Sequence, residues 1–391
     1  MRIGIDCRLW NETGVGRYIR NLVLNLQKID KKNEYALFVL SKDYSSIISH
    51  LSSLISHLVK SDIRWHTIEE QLKFPAIINK ENLDLMHFPY FSVPIFYNRA
   101  FVVTIHDLII NHFSTGRAST LSDTVYKLKL LTYKLILKTA AQKAKKIIAV
   151  SNTTKKEITD HLNIDSSKIV VTYEGVDSAL QNSKVKSENS KLQFKNQKYF
   201  LYIGNAYPHK NLERLLKGFS AFCHPEASAE GSHKILRSAQ NDTRLVLVGK
   251  EDYFYKRLKK TVQQMNLFKN VIFMQDVTDE ELSSLYKNAL ALVLPSLMEG
   301  FGLTTLEAMA NKCLVLASGI PSIREICGDA AIYFNPFDIK DMTQKMKDVY
   351  LNNIYYLSNK KEKGLERVKL FSWERMAQET LAVYEQSVIN P

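Results

Sequence analysis

A chain of 391 residues exceeds what one hydrophobic core usually serves, so two domains are expected, and 45% apolar residues suffice to fill both. The formal charge of +13 points to an anionic partner, whether nucleic acid, membrane surface or phosphorylated substrate, without choosing among them. No apolar run approaches the roughly 20 residues of a membrane span, Asp6 and Arg8 stand where a signal peptide is apolar, and Cys7, Cys223, Cys313 and Cys327 form neither a metal nor a disulfide pattern, so a globular cytosolic protein with reduced thiols is expected.

Residues 2–6 read as a first strand, and Asn11-Glu-Thr-Gly-Val-Gly-Arg-Tyr18 as the loop into a helix from about Ile19 to Leu26. Gly14 and Gly16 before a helix suit either a phosphate or a plain tight turn; a dinucleotide fingerprint needs a third glycine where Ile19 stands. Apolar runs at 35–40, 83–88 and 100–105 read as buried strands separated by helical or polar stretches, an alternation that predicts a parallel sheet with helices on both faces. Ligands of such sheets bind at the carboxyl ends of strands, where His106-Asp107 follows directly. A lone His is also common as a structural residue, and His-Asp can simply cap a turn.

From Ser122 to Lys146 a long helix is expected, with Lys127, Lys129, Lys134, Lys138, Lys143, Lys145 and Lys146 against the single acid Asp123. Leu128, Leu131, Tyr133, Leu135 and Ile136 supply apolar area between the lysines. Attachment to an anionic bilayer and a solvated face over an ordinary core stripe both fit this pattern. No RNA or DNA module is visible, which argues against nucleic acid.

Strands at 147–151, with Ser151 or Thr153 capping the next helix, and at 168–173, followed by the turn Glu174-Gly-Val-Asp177, close a first domain set at 1–178. The polar stretch 179–198 reads as a linker. A strand at 199–203 opens the second domain. Gly204 at its end and Lys210 before a helix at 212–222 suit phosphate, because an ammonium neutralises charge growing on a leaving diphosphate; a Lys at a helix start is also ordinary. The segment 223–243 has no period and reads as an insertion in a surface loop, without chemistry.

The run 289–294 reads as a strand ended by Pro295, followed by a turn with Gly300 and Gly302 and a helix over 303–310. Backbone N–H groups at such a helix start suit an anion. Glu299 in the turn and Glu307 in the helix can border one ligand, although a solvated Glu307 fits the spacing as well.

The block Glu299-Gly-Phe-Gly-Leu-Thr-Thr-Leu-Glu307 resembles the Glu-x7-Glu signature of retaining glycosyltransferases of family 4. That resemblance implies a GT-B fold: an α/β protein with two Rossmann-like parallel-sheet domains facing across a cleft, 199–365 forming the donor domain and 366–391 returning toward the first. It also implies roles. Glu299 faces the donor sugar, the turn at Gly300, Phe301, Gly302, Leu303 and Thr304 meets sugar and phosphate, and Glu307 holds the ribose hydroxyls. Lys210 binds the diphosphate, and His106, within Val103-Thr-Ile-His-Asp-Leu108, lies by the sugar and β-phosphate. Gly14 and Gly16 belong to a Gly-x-Gly-Arg-Tyr loop that approaches donor phosphate or acceptor. Many members carry an Arg after the glycine where this chain has Asn205, leaving His209 or Arg17 to supply a second cation.

The loop at 14–18 and the segment at 103–108 most resemble members that transfer mannose from GDP-mannose in surface polysaccharide or lipopolysaccharide synthesis. The resemblance thus implies a retaining hexosyltransferase acting on a nucleotide diphosphate sugar and a glycan or lipid-linked acceptor. No metal is expected, since no Asp-x-Asp triplet occurs, and no cofactor. Of the two readings of the basic helix at 122–146, contact with an anionic membrane would place a cytoplasmic protein at the inner face of the cytoplasmic membrane, and a solvated face would not. The alternatives are an epimerase or hydrolase of the same fold and a non-catalytic basic scaffold.

Overall fold

The computed structural model describes residues 1–49, 51, 56–113, 123–176, 197–224, 242–351 and 354–389. Ser122, Asp177, nearly all of the expected linker and residues 225–241 of the expected insertion lie outside them. The chain forms two compact units, Met1–Gly175 with Phe371–Pro391, and Val176–Leu370.

Among the described residues, the first unit holds a seven-stranded sheet of β1 (Arg2–Asp6), β2 (Glu34–Val39), β3 (Ser56–Lys60), β4 (Leu85–Phe88), β5 (Phe101–Ile105), β6 (Lys146–Ala149) and β7 (Ile169–Val171). The spatial order is β3-β2-β1-β4-β5-β6-β7, every pair parallel. Central strands such as Phe101-Val-Val-Thr-Ile105 are buried throughout, which is why they read as continuous apolar runs. The helix Trp373–Ile389 packs on the helix Gly14–Ile29. A buried polar chain also ties it to the sheet: Tyr384 OH lies 2.6 Å from His87 Nδ1, whose Nε2 lies 2.8 Å from the Thr104 hydroxyl.

The second unit holds a six-stranded sheet of β8 (Tyr199–Ile203), β9 (Arg244–Val248), β10 (Val271–Met274), β11 (Ala291–Leu294), β12 (Val315–Ser318) and β13 (Ile332–Phe334). Its order is β10-β9-β8-β11-β12-β13, again all parallel. Strand order reverses between β1 and β4 in the first sheet and between β8 and β11 in the second. These are the switch points at whose carboxyl ends doubly wound sheets bind ligands.

Three expectations about elements are corrected. The first helix begins at Gly14, not near Ile19, so the two glycines form its first turn. Gly16 is required there by close packing: a Cβ would lie 2.5 Å from the Trp10 carbonyl oxygen. The basic helix spans Asp123–Lys143, and Lys146 instead starts β6. Strands β3 and β13, unexpected from the sequence, are the outermost strands of their sheets among the described residues. The four cysteines lie buried and unbridged.

Candidate active site

In the second unit, the loop after β8 and the loop after β11 meet at the switch point. Asn211 joins them. It adopts the left-handed conformation (φ 61°), which Asn tolerates better than most residues, and its side-chain amide donates to the carbonyls of Pro295 (3.0 Å) and Pro336 (2.9 Å). The Leu297 amide donates back to the His209 carbonyl at 2.7 Å. Two buried tyrosines hold the start of the same loop, Tyr202 OH donating to the Asn205 carbonyl and Tyr255 OH to that of Gly204.

This bracing sets Lys210, at the end of a short turn over Pro208–Lys210, against Glu299. Lys210 Nζ lies 2.7 and 2.8 Å from the two carboxylate oxygens, and the buried Ser296 hydroxyl donates to Oε1 at 2.6 Å. Burial opposes charge on Glu299. The Lys210 ammonium and the Ser296 hydroxyl outweigh it and hold the carboxyl below its ordinary pKa, so Glu299 is ionised at neutral pH.

Gly300 and Phe301 complete the turn, and Gly302 begins the helix Leu303–Ala310. Gly302 has φ +91°, and a Cβ there would lie 2.4 Å from Ile323 Cδ1, so both conformation and space demand glycine. No described side chain caps this helix, whose first residues are Leu303 and Thr304. Glu307 is 2% exposed, not solvated, and accepts from Tyr286 OH at 2.8 Å.

Asn205 is occupied with its own loop, its side-chain oxygen accepting from the Tyr207 amide at 3.4 Å. The expectation that His209 supplies a second cation is corrected: burial, and then the adjacent Lys210 charge, lower its pKa to about 4, so it is neutral near pH 7. Arg17, the other candidate, lies in the first unit.

In the first unit, the parallel sheet brings the ends of β4, β5, β6 and β7 to one edge. His106 follows β5, and both its ring nitrogens face protein acceptors: Nδ1 lies 3.3 Å from a Glu174 carboxylate oxygen and Nε2 2.9 Å from the Pro89 carbonyl oxygen. A neutral imidazole donates from one nitrogen only, so the imidazolium satisfies both. Burial opposes that charge, but Glu174, the Pro89 carbonyl and Asp107 prevail and raise the pKa above the ordinary histidine value. Tyr18, on the helix that starts with Gly14, packs edge-on against the ring at 5.0 Å. Ser151 caps the helix Asn152–Leu162, whose Thr154 hydroxyl donates to the His106 carbonyl at 3.2 Å.

The structure therefore brings Lys210, Glu299 and the glycine turn together in one unit, and places His106, Gly14 and Gly16 in the other. Sequence reasoning missed Asn211, Ser296, Tyr286 and Glu174 as partners. Glu174 had a signal, since it stands just past the carboxyl end of β7.

The profile for glycosyl transferases group 1 matches residues 183–364, and that for glycosyltransferase family 4 matches residues 13–180. The chain is 26% identical to the O-antigen chain mannosyltransferase RfbU of Salmonella typhimurium, covering 86% of this chain and 87% of that protein. It is likewise 26% identical to the O-antigen chain mannosyltransferase B of Escherichia coli, covering 95% and 96%. Among solved structures, sucrose-phosphate synthase from Thermosynechococcus elongatus superimposes with a TM-score of 0.76 at 19% identity, over 99% of this chain and 98% of that one. HepE of Anabaena, in complex with UDP-glucose, gives 0.74 at 14% identity, over 99% and 100%. These structural likenesses speak for the fold, and the two profiles extend over almost the whole sequence. With its paired parallel-sheet units and Glu-x7-Glu turn, the chain belongs to glycosyltransferase family 4, and it is a glycosyltransferase of GT-B fold.

Proposed function

We propose that this protein transfers mannose, with retention of configuration, from the nucleotide diphosphate sugar GDP-mannose to a lipid-linked glycan acceptor in O-antigen or related lipopolysaccharide synthesis. The observation that carries the reading is the Lys210–Glu299 pair, anchored through Asn211 and Ser296 at the second sheet's switch point. In this reading Lys210 shares its charge between Glu299 and the departing diphosphate, and the helix start at Gly302–Thr304 faces the same group. Within the second unit Glu299 takes the donor sugar and Glu307 the ribose hydroxyls, and His106 is the first unit's own candidate for a role in transfer. The leaving group's charge is met by Lys210 and the helix start without a metal ion. The names of the two O-antigen relatives support mannose and the polysaccharide.

The acceptor's lipid brings in the membrane. Among the described residues no helix is long and apolar enough to cross a bilayer. The helix Asp123–Lys143, however, exposes Val125, Leu128, Leu131 and Leu135 to 51–67%, at spacings of three and four residues, with Lys127, Lys129 and Lys138 exposed beside them. In the proposed reading this stripe rests on the anionic inner face of the cytoplasmic membrane. Leu128→Glu with Leu131→Glu then abolishes co-sedimentation with anionic vesicles; unchanged sedimentation removes the membrane assignment.

The reaction itself is tested by incubating the protein with GDP-mannose and a lipid-linked glycan fraction and reading the new linkage by NMR. A product with the donor's anomeric configuration supports the proposal. Consumption of GDP-mannose without acceptor points instead to a hydrolase or epimerase.

A further inference from the structure

A further cluster of titratable side chains lies in the first unit and has no part in the proposed transfer. It joins the short helix Ile109–His112 to the helix Asn152–Leu162. His112 Nε2 lies 2.6 Å from Glu157 Oε2, and His161 Nε2, one helical turn from Glu157, lies 3.3 Å from that same oxygen. The two imidazoles meet edge to face at 4.8 Å. One atom from each residue falls within a sphere where all three lie within 4.8 Å of one another.

We propose that His112, Glu157 and His161 form a binding site for a divalent transition metal of the zinc class. Two imidazole nitrogens and a carboxylate oxygen are a donor set that suits such ions. Metal–ligand bonds of roughly 2.0–2.2 Å about a tetrahedral centre set neighbouring donor atoms on the order of 3.4 Å apart. The separation of 3.3 Å already matches; the 2.6 Å contact must open and the two imidazole nitrogens, within 4.8 Å of one another, must close, both by rotation of half-exposed rings. Side-chain exposures of 33%, 27% and 43% leave room for water as a fourth ligand.

The site's place in the fold gives it a consequence. The segment 106–112 is bonded to the helix Asn152–Leu162 at its start, through the His106 carbonyl and the Thr154 hydroxyl. A metal at His112 clamps the far end of that segment to the same helix, so metal binding stiffens the backbone that carries His106. The metal is a clamp and takes no part in bond making.

The test uses the full-length protein stripped with a chelator and titrated with Co2+, then with Zn2+ in competition. One equivalent of Co2+ should bind with the absorption of an ordered nitrogen–oxygen site, and Zn2+ should displace it. His112→Ala and His161→Ala should each weaken binding at least about tenfold, since even outer-shell changes have effects of that size. Ring-nitrogen NMR of the wild-type protein gives a readout free of variants: Zn2+ should shift the signals of two histidines and no others. Absence of stoichiometric uptake by the wild type, shifts at other histidines, or equally tight binding by the doubly substituted protein would overturn the proposal and leave the cluster a hydrogen-bonded triad.

Discussion

The Lys210–Glu299 pair of the second unit and the His106–Glu174 pair of the first are both largely buried, yet different groups set their charge. In the second unit the partner is a lysine, and the carboxylate is held below its ordinary pKa, so Glu299 stays ionised across the neutral range. In the first unit the partner is a histidine whose pKa is raised, against burial, by one carboxylate and one carbonyl oxygen. The donor half of the chemistry therefore stands on fixed charge, and the first unit contributes a charge that pH can remove. Loss of turnover as pH rises through the raised His106 pKa should then appear without a parallel loss of nucleotide affinity.

The largest effect expected from breaking this arrangement is at Lys210. Lys210→Ala leaves Glu299 buried without its cation and the departing diphosphate without an ammonium, and kcat should fall about 10²–10³-fold, the scale seen when one pre-organised donor is removed. Nucleotide diphosphate affinity should weaken in parallel. Wild-type turnover in this variant would remove the donor-site assignment.

At His106 the comparison sharpens. His106→Ala should lower kcat by about 10²-fold, in the range of a single positioned acid–base or electrostatic group, with nucleotide affinity unchanged. Because its folded pKa is raised, the wild-type imidazolium is complete below the ordinary value near 6.5 and lost as pH rises through the folded value. Activity should therefore decline on the alkaline side in the wild type, and the alanine variant should lack that step.

His87 provides an effect of opposite sign, on stability and not on turnover. It too is buried, but its partners are the hydroxyls of Tyr384 and Thr104, and burial, with the nearby His106, pushes its pKa down to about 3. A depressed histidine binds its proton in the unfolded chain first, so stability is whole above about pH 6.5 and falls as pH drops toward 3, by roughly 1.4 kcal/mol per pH unit. Denaturant midpoints between pH 6.5 and 4 should fall less steeply for His87→Gln than for the wild type. Identical slopes would show that His87 does not carry the effect.

Much of the fold was legible in the chain because central parallel strands are apolar on both faces, and the glycine turn is legible because Gly302 has no substitute at its φ and spacing. The outermost strands β3 and β13 were not: β3 mixes Ser56, His57 and Lys60 with two apolar residues, and β13 is only three residues long. Partners were hardest to read. Asn211 reaches carbonyls 84 and 125 residues away, and His106 meets a carboxylate 68 residues away, distances that no local pattern encodes. His209 misled for a related reason, since its sequence neighbour Lys210 suggests a basic patch while burial keeps the ring neutral.

The most direct measurement is a thermal-shift panel of the wild type and Lys210→Ala with GDP, UDP, ADP and their sugars, each with and without magnesium. A ligand at about 100 times its dissociation constant stabilises by roughly 2.7 kcal/mol, enough for a clear shift. The account predicts a shift of the wild type with guanosine nucleotides that does not depend on magnesium and is greatly reduced in the variant. No shift with any nucleotide, or an equal shift in the variant, would contradict the assignment of Lys210 and Glu299 as the donor site.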